Sequence, residues 1–247
     1  MMLSDSFKRA RQRVLGEEVV TSGVGGLSEK SVHKILKLTI EPDTSKHEVK
    51  FLGSVADIKN DDGIFEIQTK NHYRLIPKLE KFLAHSRVTL VIPLIKEKRV
   101  RWIDPETGEI SEAKKSPKHE GVYTALYYLA PLASLILDPN FSVKLFLLCA
   151  DEYKRLDGWD KTRKRGATKA DKIPASLIEV IDLSSAIDYK QYIPKDLSER
   201  FLAKEFSKKI ACPSQKAYYV IRLFERLGYI EQDGKEGRAF VYKIKDK

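Results

Sequence analysis

Oxygen donors and lysines alternate with apolar residues over residues 47–70, HEVKFLGSVADIKNDDGIFEIQTK. Asp57, Glu66 and Gln68 are oxygen ligands of the kind that hold Mg2+ or Mn2+ through one or two carboxylates plus waters. Lys70 adds a cation able to steady charge that develops on a phosphate. The chemistry such a set could do is metal-assisted reaction at a phosphate. The plain alternative is an antiparallel sheet with one solvated side, which alternates polar with apolar residues for that reason alone.

The elements that must position these groups read as three short strands. Asp62-Gly63 is a hairpin signal, because a type I′ turn needs positive φ at both central residues. Centred there, the turn pairs Lys59 with Glu66 and sets Asp57 opposite Gln68. Asp57, Lys59, Glu66, Gln68 and Lys70 then share one face, with Ala56, Ile58, Phe65 and Ile67 on the other. A second tight turn at Leu52-Gly53 brings Glu48 opposite Asp57 and adds Val49 and Phe51 to the apolar face.

A helix precedes the strands. Ser28 is an N-cap candidate, and Val32, Ile35 and Leu36 form its apolar stripe. Glu29 projects toward the buried side at the helix start, as a ligand would, although a first-turn acid also suits the helix dipole. After the strands, residues 71–85 predict a helix with Leu75, Ile76, Leu79, Phe82 and Leu83 inward and Pro77 near its start. RVTLVIPL predicts a buried strand of the parallel kind, joined by a right-handed crossover.

Helix, three-strand meander, helix, strand, with Glu29 and VADIKNDDGIFEIQTK, resembles the core of the PD-(D/E)XK nuclease superfamily, including archaeal Holliday-junction resolvases. The likeness spans residues 28–94. Asp57 matches the acid of the motif's first half, and Gln68-Thr69-Lys70 occupies the (D/E)-X-K half. The acid expected at position 68 is a glutamine in this chain, and Glu66 on the same face could replace it. The resemblance implies a divalent metal, Mg2+ or Mn2+, held by Asp57, Glu66, Gln68 and Glu29, with Lys70 completing the catalytic set. The whole chain is also similar to a bacterial family with an EIQT(K/R) strand and a C-terminal DNA-binding module.

Downstream, Asp104 to Gly108 predicts a turn between strands, residues 122–137 a helix interrupted at Pro131, and FSVKLFLLCA another buried strand. Residues 154–172 are basic and poor in apolar side chains, and read as a loop able to lie along a phosphate backbone through Arg163, Lys164 and Arg165. A solvated charge run reads the same way. From Tyr192 onward, two amphipathic helices and a glycine-bearing hairpin resemble a winged helix-turn-helix. Its second helix would present Ser214, Gln215, Lys216, Tyr219 and Arg222 to a major groove, with Lys235 and Arg238 on the wing.

The formal net charge of +10 over 247 residues favours a polyanionic partner. No run of about 18 apolar residues predicts a membrane span, and the N-terminus lacks the apolar core of a secretory signal. Cys149 and Cys212 belong to no CxxC pair, as expected of a reduced cytoplasmic protein. The expected class is therefore α/β: a PD-(D/E)XK-like mixed sheet flanked by helices, plus a small C-terminal winged-helix domain. Its divisions are a flexible tail over 1–27, the core over 28–153, a basic linker over 154–191 and the winged helix over 192–247. The expected function is metal-dependent DNA cleavage. The competing one is DNA binding by a regulatory protein with a degenerate core. DNA is the expected partner, no membrane is, and a homodimer stays open.

Overall fold

The structure, a computed structural model, describes residues 2–21, 30–159 and 165–245. Helix α1 (Met2–Thr21) and helix α2 (Lys30–Ile40) precede strands β1 (His47–Phe51), β2 (Ser54–Asn60) and β3 (Gly63–Ile67). A 3-10 turn over His72–Leu75 leads into α3 (Ile76–Leu83), with Pro77 in its first turn, and then β4 (Val88–Ile103). The predicted order of helix, meander, helix and strand is the observed one.

The two turns of the meander behave differently. Leu52 and Gly53 both have positive φ, at 51° and 71°, and they hold Phe51 opposite Ser54 as predicted. That register sets Glu48 level with Asp57, since His47 faces Ile58 and Val49 faces Ala56. The second turn is centred on Asp61 and Asp62, because Asn60 pairs with Gly63. The Asn60 Oδ1 accepts the Asp62 N–H at 3.1 Å, an Asx-type closure. Gly63 serves another purpose: a Cβ there would lie 2.5 Å from the Arg87 carbonyl oxygen, and its φ is +127°. Moving the turn by one residue on each side shifts the register by two. The pairing parity is kept, because the side-chain period is two, but the predicted apolar face is divided: Ile58, Phe65 and Ile67 pack on the side of α1 and α2, whereas Ala56 and Phe51 pack with Ile64 on the other side. The partners change: Ile58 faces Phe65, Lys59 faces Ile64, and Asp57 comes level with Glu66 rather than Gln68.

The sheet has seven strands, in the order β1-β2-β3-β4-β6-β7, where β6 is Phe141–Trp159 and β7 is Arg165–Leu183; the short β5 (Lys114–Lys115) pairs β4. β4 runs parallel to both β3 and β6, and the other pairings are antiparallel. Parallel strands need cover on both faces. One face packs Ile58, Phe65, Ile67, Val91 and Phe146 against α1 and α2. The other packs Ile64, Leu90, Ile92 and Leu145 against α3, α4 (Val122–Leu129) and α5 (Ala133–Ile136). A 3-10 turn at Ala130–Leu132, containing Pro131, separates α4 from α5, which is the predicted interruption. The face that carries Glu66 is thus a core face and not a solvated one.

Two expectations are corrected. Residues 2–21 form a packed helix, with Phe7, Ala10 and Val14 buried against α2, so most of the expected tail is structured. Those residues recur at helical spacing and needed only a partner to bury them. Ser28 and Glu29 lie outside the described residues. The expected basic linker is instead largely strand: β6 and β7 pair from Val143↔Leu183 out to Trp159↔Arg165, with β4 on the other side of β6 as far as Arg155. Beyond Arg155 only β7 pairs with β6 among the described residues, and a two-stranded ribbon needs no apolar face, so the charged composition there is compatible with strands.

The C-terminal region contains α6 (Ile187–Lys190), β8 (Arg200–Leu202), α7 (Ala203–Lys209), α8 (Ser214–Arg226), β9 (Ile230–Glu236) and β10 (Ala239–Ile244). The strands form a small sheet ordered β8-β10-β9, the arrangement of a winged helix-turn-helix. Helix α8 is buried on two sides. Ala217, Val220, Ile221 and Phe224 join Phe206 in the small domain, and Leu223 is buried as well. Arg226 donates to the Ala130 carbonyl at 3.5 Å, and one hydrophobic cluster runs from Leu90 through Leu126 to Phe224.

Candidate active site

The site lies where β2 and β3 part. Their paired register reaches Ile58↔Phe65. Beyond it β3 belongs to β4, with Glu66 facing Leu90, Ile67 facing Val91, and the Gln68 N–H donating to the Val91 carbonyl at 2.9 Å. Side chains take over the fork. The Ile67 N–H donates to Asp57 Oδ2 at 2.8 Å, and the Asp57 N–H donates to Glu66 Oε1 at 3.2 Å.

Glu66 is only 2% exposed. Lys78, in the first turns of α3, reaches its Oε2 at 2.6 Å. Burial pushes the Glu66 carboxyl above the usual carboxylate range. The Lys78 hydrogen bond pulls it back, and the Asp57 charge pushes it up again. From the opposite face of the sheet, His33 on α2 donates through Nε2 to the Ile67 carbonyl and sits 3.8 Å from Asp57 Oδ2. The sheet fork is therefore held from both sides.

Of the residues singled out in the sequence, Asp57 and Glu66 are brought together. The Gln68 amide instead donates to the Lys70 carbonyl, and the Lys70 side chain is exposed. Glu29 lies outside the described residues. Among the described residues, no group of three or more His, Cys, Asp or Glu side chains is gathered to hold a metal ion. Sequence reasoning missed His33 and Lys78. The signal for Lys78 was available: a helix returning antiparallel to β3 sets its first turns beside the end of that strand, so a cation there faces Glu66.

The turn after β3 is held by His72, whose Nε2 donates to the Gln68 carbonyl at 3.0 Å. Burial lowers the His72 pKa, with the bond to the Gln68 carbonyl opposing it. Its ring stacks on Tyr128 with centroids 4.7 Å apart.

The nucleic-acid candidates divide. Gln215, Arg222, Lys235 and Arg238 are exposed, Arg222 beside Glu225 at 3.2 Å and Lys235 over the Phe240 ring at 4.9 Å. Lys216 and Tyr219 lie against Tyr127 of α4, Tyr219 while still exposed: the Lys216 ammonium lies 5.5 Å from the Tyr127 ring centre, and Tyr219 meets Tyr127 edge-on at 5.4 Å. Arg163 and Lys164 lie outside the described residues, and Arg165 opens β7. Among the described residues, no helix is long and apolar enough to cross a membrane.

No solved structure matches the chain significantly. A Treponema pallidum (strain Nichols) protein, described as an uncharacterized protein, is 25% identical over 224 residues, covering 87% of this chain and 85% of its own length. The profile of the domain of unknown function DUF8091 matches residues 30–184, from α2 through the end of β7. That is well over half of the 247 residues, and the chain belongs to the DUF8091 family.

Proposed function

We propose that the protein is a metal-dependent DNA endonuclease of the PD-(D/E)XK type, working in the cytoplasm. The observation that carries this is the Asp57–Glu66 pair at the sheet fork. With Asp57 level with Glu66, the run Glu66-Ile67-Gln68 takes the acid-X-lysine positions, and Gln68 stands where the lysine would. Lys78 supplies an ammonium from α3 in its stead.

Two carboxylates on adjacent strands, one of them buried and pushed toward its neutral form, fit a divalent cation that would repay their mutual repulsion. Asp57 and Glu66 would hold Mg2+ or Mn2+, which when bound supplies a Lewis acid and an acidified water. Lys78 opposes the upward push of burial on the Glu66 carboxyl and could steady phosphate charge when metal is bound. His33 fixes the Ile67 backbone between the two acids. Substrate affinity would come from the exposed Gln215, Arg222, Lys235 and Arg238 and from the positive net charge.

A second reading, a DNA-binding regulator with a degenerate core, is favoured by Gln68 and by the ion pair that already neutralises Glu66. Incubation with supercoiled, linear, branched and single-stranded DNA plus Mg2+ or Mn2+ separates the two. Cleavage by wild type, lost in Asp57→Asn and Glu66→Gln, is expected. DNA binding with no cleavage of any form by wild type would leave the regulator reading.

A further inference from the structure

Between the turn that follows β3 and helices α4 and α8 lies a cleft of about 290 Å³, lined by Asn71, His72, Tyr73, Tyr127, Tyr128 and Tyr219. Its rings are ordered against one another. Tyr128 stacks on His72 at 4.7 Å and 20°, Tyr127 tilts against Tyr128 at 5.5 Å, and Tyr219 stands edge-on to Tyr127. Tyr73 and Tyr219 remain 53% and 42% exposed. Single exposed aromatics are ordinary. Two of them, on separate elements, opening onto one ring-lined cleft are not explained by packing.

Two cations stand beside the lining rings, and the Glu120 carboxylate acts on Tyr128 from the side of α4. Lys216 lies 5.5 Å from the Tyr127 ring and Arg74 5.8 Å from the Tyr73 ring. Asn71 offers a carboxamide, which can both donate to and accept from a base edge. The volume lies near the lower end for small-molecule sites, roughly 300 Å³. It suits a flat heterocycle and not a paired duplex. The cleft also adjoins the carboxylate fork: His72 is bonded to the Gln68 carbonyl, and the preceding N–H, that of Ile67, is bonded to Asp57.

We infer that this cleft takes an unpaired nucleobase of a single-stranded or frayed DNA strand. The inference rests on the nuclease reading for its placement and deepens it by naming the form of the substrate. Rings accept any base by stacking while the flanking cations hold the backbone. A base inside a duplex is stacked and paired on both sides and cannot enter without being extruded. The site therefore selects strands that are already open.

The test uses the full chain in EDTA, so that nothing is cleaved. Fluorescence anisotropy gives the affinity for an oligonucleotide carrying 2-aminopurine, single-stranded or annealed. The expected result is 2-aminopurine quenching on the single strand alone. Tyr73→Ala and Tyr219→Ala should each weaken single-strand binding about tenfold and leave duplex binding unchanged, while the Phe variants retain it. Circular dichroism checks folding. Because Tyr219 packs on Tyr127, the more exposed Tyr73 decides the matter if Tyr219→Ala unfolds. Equal losses on both DNA forms, or none, would overturn the inference. Absence of cleavage in the metal assays leaves this binding result standing, and loss of base selectivity leaves duplex cleavage to be judged separately.

Discussion

Asp57 and Glu66 bridge the fork between β2 and β3 in opposite directions: the Asp57 carboxylate takes the N–H of Ile67, next to Glu66, and the Glu66 carboxylate takes the N–H of Asp57. Each acid thus replaces a ladder bond that the diverging backbones no longer make. The arrangement ties function to stability, because the groups that would bind metal also hold the sheet.

Asp57→Asn keeps an oxygen for the Ile67 N–H and should cost little stability, whereas Asp57→Ala orphans that N–H and should cost about 1–3 kcal/mol. Both should abolish metal-dependent cleavage. Urea denaturation and a plasmid assay, run on the same preparations, check the separation of the two effects.

Glu66→Gln tests the raised carboxyl. A carboxylate whose folded pKa exceeds its unfolded one contributes stability that is fully present below the unfolded value, about 4.3. That contribution is lost as pH rises through the folded value. The variant should therefore gain stability relative to wild type as pH goes from about 4 to about 7. A constant difference across that window would contradict the burial of Glu66 as the dominant cause.

Lys78→Met leaves Glu66 buried without its cation, which should destabilise the fold by about 3–5 kcal/mol near neutral pH. The loss should shrink in acid, where Glu66 is protonated. Combining Lys78→Met with Glu66→Gln should restore most of it, so a double-mutant cycle measures the coupling.

Gln68→Lys supplies an ammonium at the lysine position of the acid-X-lysine run. If Asp57 and Glu66 form the reacting centre, cleavage with Mg2+ should rise by about tenfold or more. Gln68 is half-buried and its side-chain amide donates to the Lys70 carbonyl, while its backbone bonds to Val91 and His72 do not depend on the side chain, so the fold should tolerate the change.

Arg222→Ala and Arg238→Ala should each weaken DNA binding uniformly across sequences. Each should flatten the log–log salt dependence by about 0.9 for every phosphate contact removed. Deleting the winged helix outright would give no such clean result. It would strip the cover from Leu126 and Leu129, which share a hydrophobic cluster with Val220 and Phe224.

Local pattern determined much of this fold. The stripe Val32, Ile35, Leu36 marks α2, the apolar run after Val88 marks a strand buried on both faces, and Pro131 marks the break between α4 and α5. Leu52-Gly53 reads correctly because both of its residues need positive φ, which is a local demand. Asp62-Gly63 misleads for the opposite reason. Gly63 answers to the Arg87 carbonyl, distant in sequence, and the turn closes through Asn60 one residue earlier. Phe7, Ala10 and Val14 carry a helical period in the sequence, but only the neighbouring α2 makes it a buried face. Tertiary structure alone decided the partners of the acids. Glu66 meets Asp57 and Lys78, and His33 reaches the same fork from the far face, because hydrogen bonds between separate elements depend on how the sheet forks and on which helices cover it.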